Sequence, residues 1–257
     1  MMIDGLYSSD SINSIYNHIK DIQLFEGEYF ILPKDFEAHS NTEKGLPNKE
    51  VENVLINDYS DTVSTKQAKT SIPLDIDSFR ESISGCLRCE LGKTRRNFVF
   101  GAGSKDADIM FVGEAPGHEE DRTGEPFVGP AGELLTKIIE AIDLTRKDVY
   151  ICNILKCRPP NNRDPRIEEI KTCEPYLAKQ IEIIAPRVIC TLGRFAAQTL
   201  LDSNEPMGRM RLATNFYKDI PLVATYHPAA LLRNPQWKRP TWEDMKKVRR
   251  LYDGVEL

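Results

Sequence analysis

The chemistry open to this sequence is concentrated in four cysteines and a few polar or aromatic residues set among glycines and prolines. Cys86-Leu87-Arg88-Cys89 is a C-x2-C pair, and Cys157 and Cys173 form a second pair with fifteen residues between them. Thiolates gathered in fours bind zinc or an iron–sulfur cluster. A zinc ribbon uses two close pairs, and the second pair here is not close, which leans towards a cluster without deciding it. Cys152 and Cys190 fall inside apolar runs and read as small buried residues.

The other residues stand where apolar runs end. Gly113-Glu114-Ala115-Pro116-Gly117 closes the first run and is followed by Glu120 and by a Gly/Pro-rich stretch, residues 124–129, that contains Phe127. Glycine and proline fix a tight turn in which backbone N–H groups can approach a ligand. Phe127 is either a loop anchor or a stacking platform. Asn153 closes the second run, where an amide either caps a turn or donates and accepts across a flat heterocycle. His227-Pro228 closes a fourth run, with Leu231 read as lying on an exposed loop beside Arg233. Each residue alone has an ordinary structural explanation. Together at one sheet edge, they suit a pocket for an everted nucleobase. They would supply stacking, edge recognition, a donor to a developing anion, and an apolar wedge for the gap in the duplex.

Such a set needs a scaffold that brings run ends together. The short apolar runs at 108–112, 148–152, 188–192 and 221–225 suit buried parallel strands. Helical stretches at 132–142, 165–184, 194–201 and 242–252 alternate with them. This pattern predicts an α/β fold: a three-layer α/β/α sandwich with a mostly parallel four-stranded central sheet, whose strand ends form the ligand crevice.

Residues 1–75 read as a separate acidic N-terminal extension, and residues 76–257 as the main domain. Ile12, Ile15, Tyr16, Ile19 and Ile22 give one amphipathic helix, residues 28–32 a short strand-like run, and residues 34–71 a polar linker. One helix and one strand cannot bury a core, so the extension docks on the main domain, stays solvated or meets a protein partner. Residues 1–76 hold 6 Lys and Arg against 13 Asp and Glu, whereas the remaining residues hold 28 against 26. The net charge of -5 therefore belongs to the extension, and it does not exclude a nucleic-acid partner for the body. Lys93, Arg95, Arg96, Arg158, Arg163, Arg233, Lys238 and Arg239 lie near the motifs and could meet phosphates. No run is long and apolar enough to span a membrane, and the first residues have no secretory pattern. Six cysteines in that setting point to a reducing, cytoplasmic compartment.

From about Cys86 to Tyr252 the sequence resembles the uracil-DNA glycosylase superfamily, specifically its family-4 enzymes, which carry a 4Fe–4S cluster. The resemblance rests on five blocks in order: Cys86-x2-Cys89, 113–117, 126–132, 153–160 and 227–233. It implies a DNA-repair enzyme that flips uracil out of DNA and hydrolyses its N-glycosidic bond, leaving an abasic site. It implies that Cys86, Cys89, Cys157 and Cys173 hold the cluster. Phe127 would stack on uracil, Asn153 would bind its edge, and Gly113, Ala115, Glu120 and Asn162 would complete the substrate pocket. Glu120 would lie near C5, refusing a thymine methyl. His227 would stabilise the departing uracil anion, Leu231 would enter the base stack, and Arg233 would contact DNA. Ala115 stands where the best-known uracil glycosylases have a water-assisting aspartate, so a catalytic role for neighbouring Glu114 is open. The expected partner is uracil-containing DNA, and the expected assembly is a monomer. A catalytically weak relative that binds DNA or a polymerase is the alternative, and the intact Phe127, Asn153 and His227 favour the enzyme.

Overall fold

The computed structural model describes residues 75–255 of the chain. The helix, strand-like run and linker expected before residue 75 lie outside the described residues.

Six strands form one sheet: β1 (Ala102–Gly103), β2 (Ile109–Gly113), β3 (Tyr150–Asn153), β4 (Val188–Leu192), β5 (Asn215–Tyr217) and β6 (Ile220–Thr225), in the order β1-β3-β2-β4-β6-β5. The four apolar runs become β2, β3, β4 and β6, all parallel and in register from Met110↔Tyr150 to Leu192↔Thr225. β2 and β4 are buried along their whole length, which is why they read as continuous apolar runs. The expected four-stranded sheet is corrected at both edges. β1 pairs antiparallel with β3, and β5 pairs antiparallel with β6. Both edge strands are very short and partly exposed, so neither produces an apolar run.

Helices cover both faces. α1 (Ile76–Ile83) and α2 (Leu91–Thr94) open the described chain, and α3 (His118–Thr123) and α4 (Pro130–Glu140) follow β2. α5 (Ile167–Ile184), α6 (Arg194–Leu201) and α7 (Met207–Leu212) flank β4, while α8 (Pro228–Arg233) and α9 (Lys238–Tyr252) follow β6. Successive β2 residues point to opposite sides. Met110 and Val112 join Leu177 and Ile181 of α5 in one core, whereas Ile109 and Phe111 join Leu135 and Ile139 of α4 and Met245 and Val248 of α9 in the other. Two cores separated by one sheet make the three layers. Cys152 and Cys190 are fully buried, one on each side, as small apolar residues.

At the end of β6, Asp244 of α9 accepts two bonds from the Arg211 guanidinium (2.7 and 3.0 Å) and one from the Thr225 hydroxyl (2.7 Å). This buried ion pair holds the strand end two residues before His227, where the site begins.

Candidate active site

The parallel strands deliver Gly113, Asn153 and the Tyr226-His227 corner to one edge, where a cavity of about 370 Å³ opens. Glu114, Ala115, Glu120, Phe127, Asn153, Asn162, His227 and Arg233 all line it, so most of the sequence-predicted residues meet there. Gly113 lies beneath rather than on the wall: a Cβ there would run into Asn153 Oδ1 and the Phe127 ring. Its missing side chain lets those two groups approach.

Phe127 is buried and has φ 54°, a left-handed conformation that a bulky residue adopts only when its surroundings enforce it. Gly132 allows this, because a Cβ there would overlap the Phe127 carbonyl. Arg146 Nη2 also donates to the Pro126 carbonyl at 2.8 Å. Glu120 secures the other side of the loop: its carboxylate accepts from the N–H groups of Gly117 (3.1 Å), Val128 (3.0 Å) and Gly129 (3.1 Å). The glycine turn after β2 and the Phe127 loop are thus held by one side chain, a clamp that sequence reading missed.

Asn153 is 2% exposed, and its Oδ1 has no hydrogen-bond partner among the described residues. A buried acceptor without a donor costs about 1–3 kcal/mol, and a ligand N–H would relieve that cost. The His227 Nδ1 accepts from the Ala229 N–H at 3.1 Å, so in the neutral imidazole the proton sits on Nε2. Burial, helped by the Arg233 charge and opposed by Glu120, pushes the His227 pKa down to about 4. At neutral pH this residue is a neutral donor. Its ring centre lies 5.6 Å from that of Phe127, with the planes tilted by 31°. Burial, reinforced by Asp164 and opposed by Arg194, raises the Glu114 carboxyl to about 7. Asn162, on the cavity wall, has φ 54° and accepts from Arg158 Nε at 2.7 Å.

Leu231 is not on an exposed loop. Pro228 starts α8 at its first turn, and Pro228 and Leu231, three residues apart, turn to the core side. Leu231 is 1% exposed and sits beside Leu134, Ile138 and Met245. The exposed apolar side chain of α8 is its neighbour Leu232, at 49%. Two of the basic residues near the motifs are likewise engaged internally. Arg163 makes a bidentate pair with Glu169 (2.9 and 2.6 Å), and Arg95 turns towards the cysteines.

The four cysteines come from three places: Cys86 and Cys89 between α1 and α2, Cys157 just beyond β3, and Cys173 on α5. Arg95 Nη1 donates to Cys157 Sγ (3.1 Å) and to the Cys86 carbonyl (2.8 Å), and the Tyr176 hydroxyl donates to Cys86 Sγ (3.2 Å). Burial raises the thiol pKa of Cys157 and takes Cys173 to about 11, while the Arg95 and Lys156 charges respectively pull the other way. Among the described residues no three His, Cys, Asp or Glu side chains converge as one metal ion requires. A 4Fe–4S cluster takes four thiolates on separate irons, so its donors need not converge on a point. An all-sulfur donor set, with a guanidinium and a hydroxyl directed at the sulfurs, fits that group.

A model of the uracil DNA glycosylase superfamily matches residues 100–246. The chain is 46% identical over 181 residues to a type-4 uracil-DNA glycosylase of Archaeoglobus fulgidus, covering 67% of this chain and 91% of that protein. It is 46% identical over 184 residues to one of Saccharolobus solfataricus, covering 68% and 85%. It is 43% identical over 173 residues to one of Thermotoga maritima, covering 66% and 90%.

Proposed function

The chain belongs to the uracil-DNA glycosylase superfamily, and from that premise we propose that it excises uracil from DNA by hydrolysing the N-glycosidic bond, the first step of base-excision repair. The observation that carries this reading is the juxtaposition around one cavity of a buried amide oxygen with no partner among the described residues, a strained aromatic and a neutral histidine.

An everted uracil stacks on Phe127. Asn153 Oδ1 accepts from N3–H, and its amide group donates to O4. Glu120, whose two oxygens are already held by backbone N–H groups, is a fixed wall near C5 that refuses a thymine methyl. As the bond between the sugar and N1 lengthens, negative charge collects on the O2 side of the base. His227 Nε2–H meets it there, and one preorganised donor of this kind contributes about 10²–10³ in rate. Water then adds to the cationic sugar carbon. Glu114, at the cavity wall with its pKa near 7, receives the water's proton once it is ionised.

Cys86, Cys89, Cys157 and Cys173 hold a 4Fe–4S cluster that, when bound, ties the α1–α2 segment, the loop after β3 and α5 together. Arg95 is the cation facing its sulfurs. Arg233, at the cavity rim, meets a DNA phosphate, and Leu232 rather than Leu231 is the side chain offered to the base stack. We place the protein in the cytoplasm as a monomer. Among the described residues no helix is long and apolar enough to cross a membrane. Residues 1–75 are free in this scheme for docking or a protein partner.

Incubation with a uracil-containing oligonucleotide followed by alkali tests the reading. Strand scission at the uracil supports it, and an intact strand overturns it.

A further inference from the structure

Lys156 lies between the pocket residue Asn153 and the cysteine Cys157, and it is completely buried. Its Nζ donates to the Asn153 carbonyl at 2.6 Å and to Gln180 Oε1. Its carbonyl accepts from the Val99 N–H at 2.9 Å, and the next residue along the chain is Cys157. Gln180 is anchored in turn on the Phe100 carbonyl (2.9 Å) and the Tyr150 hydroxyl (3.3 Å). Among the described residues no carboxylate is a partner of Nζ. A buried amino group satisfied only by neutral acceptors is costly, and an apolar residue would fill the space without that cost.

The placement gives Lys156 something to do. Asn153 Oδ1 has no hydrogen-bond partner among the described residues, so the amide is aimed by its backbone. Two contacts fix that backbone at the strand end: the Ile154 N–H on the Gly113 carbonyl (2.9 Å), and Lys156 Nζ on the Asn153 carbonyl. The second leads, within one residue, to Cys157. We propose that Lys156 is a positioning residue that couples the thiol cluster to the base-recognising Asn153, so that assembly of the cluster sets the aim of the amide. This rests on the uracil-pocket reading above, which it deepens.

The test uses the full-length, iron-loaded chain in four forms: wild type, Lys156→Met, Asn153→Ala and the double variant. Lys156→Met keeps the methylene stem and removes the donors. It is expected to retain iron and to lower the single-turnover rate on a uracil oligonucleotide about 10–100-fold. It is also expected to weaken the binding of free uracil, measured by calorimetry, and to alter the visible circular dichroism of the cluster. In the Asn153→Ala background the same substitution is expected to change the rate less than about 2-fold, because the residue it acts through is gone. Losses that multiply in the double variant, or unchanged uracil affinity in Lys156→Met, overturn the coupling. If Lys156→Met does not hold iron, Gln180→Leu removes the second anchor of Nζ and is read the same way. Full activity of Asn153→Ala overturns the pocket reading and the coupling with it, whereas a loss there with multiplying effects overturns the coupling alone.

Discussion

Replacing Glu114 with glutamine removes a carboxyl that the fold holds in its protonated form at the cost of ionising it. Burial raises its pKa from an ordinary 4.5 to about 7, with Asp164 adding to the rise and Arg194 opposing it. Between these two values the folded chain holds a proton at Glu114 that the unfolded chain has released. Stability from this group is therefore complete below about 4.5, falls as pH rises, and is lost above about 7. The full difference corresponds to about 3 kcal/mol, and water in the open cavity reduces it to about 1–3 kcal/mol. Glutamine keeps the shape and cannot ionise. Glu114→Gln should therefore be more stable than wild type by about 1–3 kcal/mol near pH 8, a rise of about 3–9 °C in Tm, and gain little near pH 4.5. Thermal melts of the two proteins across that range measure the difference directly, and other titrating groups cancel in it. The same variant should lose about 10²-fold in single-turnover rate above pH 7, together with the rise in rate that the wild type shows through that pH. A gain in Tm that is equal at both ends of the range, or no gain near pH 8, would refute the burial reasoning. A variant stabilised as expected yet fully active would leave the carboxyl buried but remove it from the water step.

Three further outcomes follow from named contacts. In Glu120→Gln, either orientation of the amide turns its NH2 group towards a backbone N–H of Gly117 or of Val128 and Gly129. It should cost about 2–3 kcal/mol in denaturant unfolding and lower activity with the loosened Phe127 loop. Cys157→Ser should lose iron by elemental analysis and much of its stability, whereas Cys190→Ser, buried on β4 in the core on the other side of the sheet from Cys157 and Cys173, should keep its iron. Leu231→Ala should destabilise the chain by about 2–5 kcal/mol, whereas Leu232→Ala should leave stability within about 0.5 kcal/mol and slow excision from duplex DNA more than from single strands.

The parallel centre of the sheet was legible in the sequence because β2, β3, β4 and β6 are buried on both faces and so write continuous apolar runs. The edges were not: β1 has two residues, one of them Gly103, and β5 alternates half-exposed positions, so neither carries a hydrophobic pattern. The C-x2-C spacing marked Cys86 and Cys89 as candidate ligands, whereas Cys157 and Cys173 joined them through the family resemblance; the pocket was legible from several unrelated residue types falling at strand ends. Leu231 was misread because His227-Pro228 looks like a turn. The spacing of Pro228 and Leu231, with proline at a first helical position, is the signal for a buried helical face. Arg95, Glu120 and Lys156 show a different limit. A long polar side chain near a motif reads as surface or as substrate contact, and its inward direction, towards a sulfur, three N–H groups or a carbonyl, is set by tertiary neighbours.

The central claim is that this cavity recognises uracil by its edge and discharges it as an anion, and release of the free base measures that directly. Under single-turnover conditions, the iron-loaded protein should liberate uracil from a uracil-containing oligonucleotide and no base from matched thymine or cytosine strands. Asn153→Ala and His227→Ala should each be slower by about 10²-fold or more while remaining folded. Release of thymine at a comparable rate, or undiminished uracil release by both variants, would contradict it.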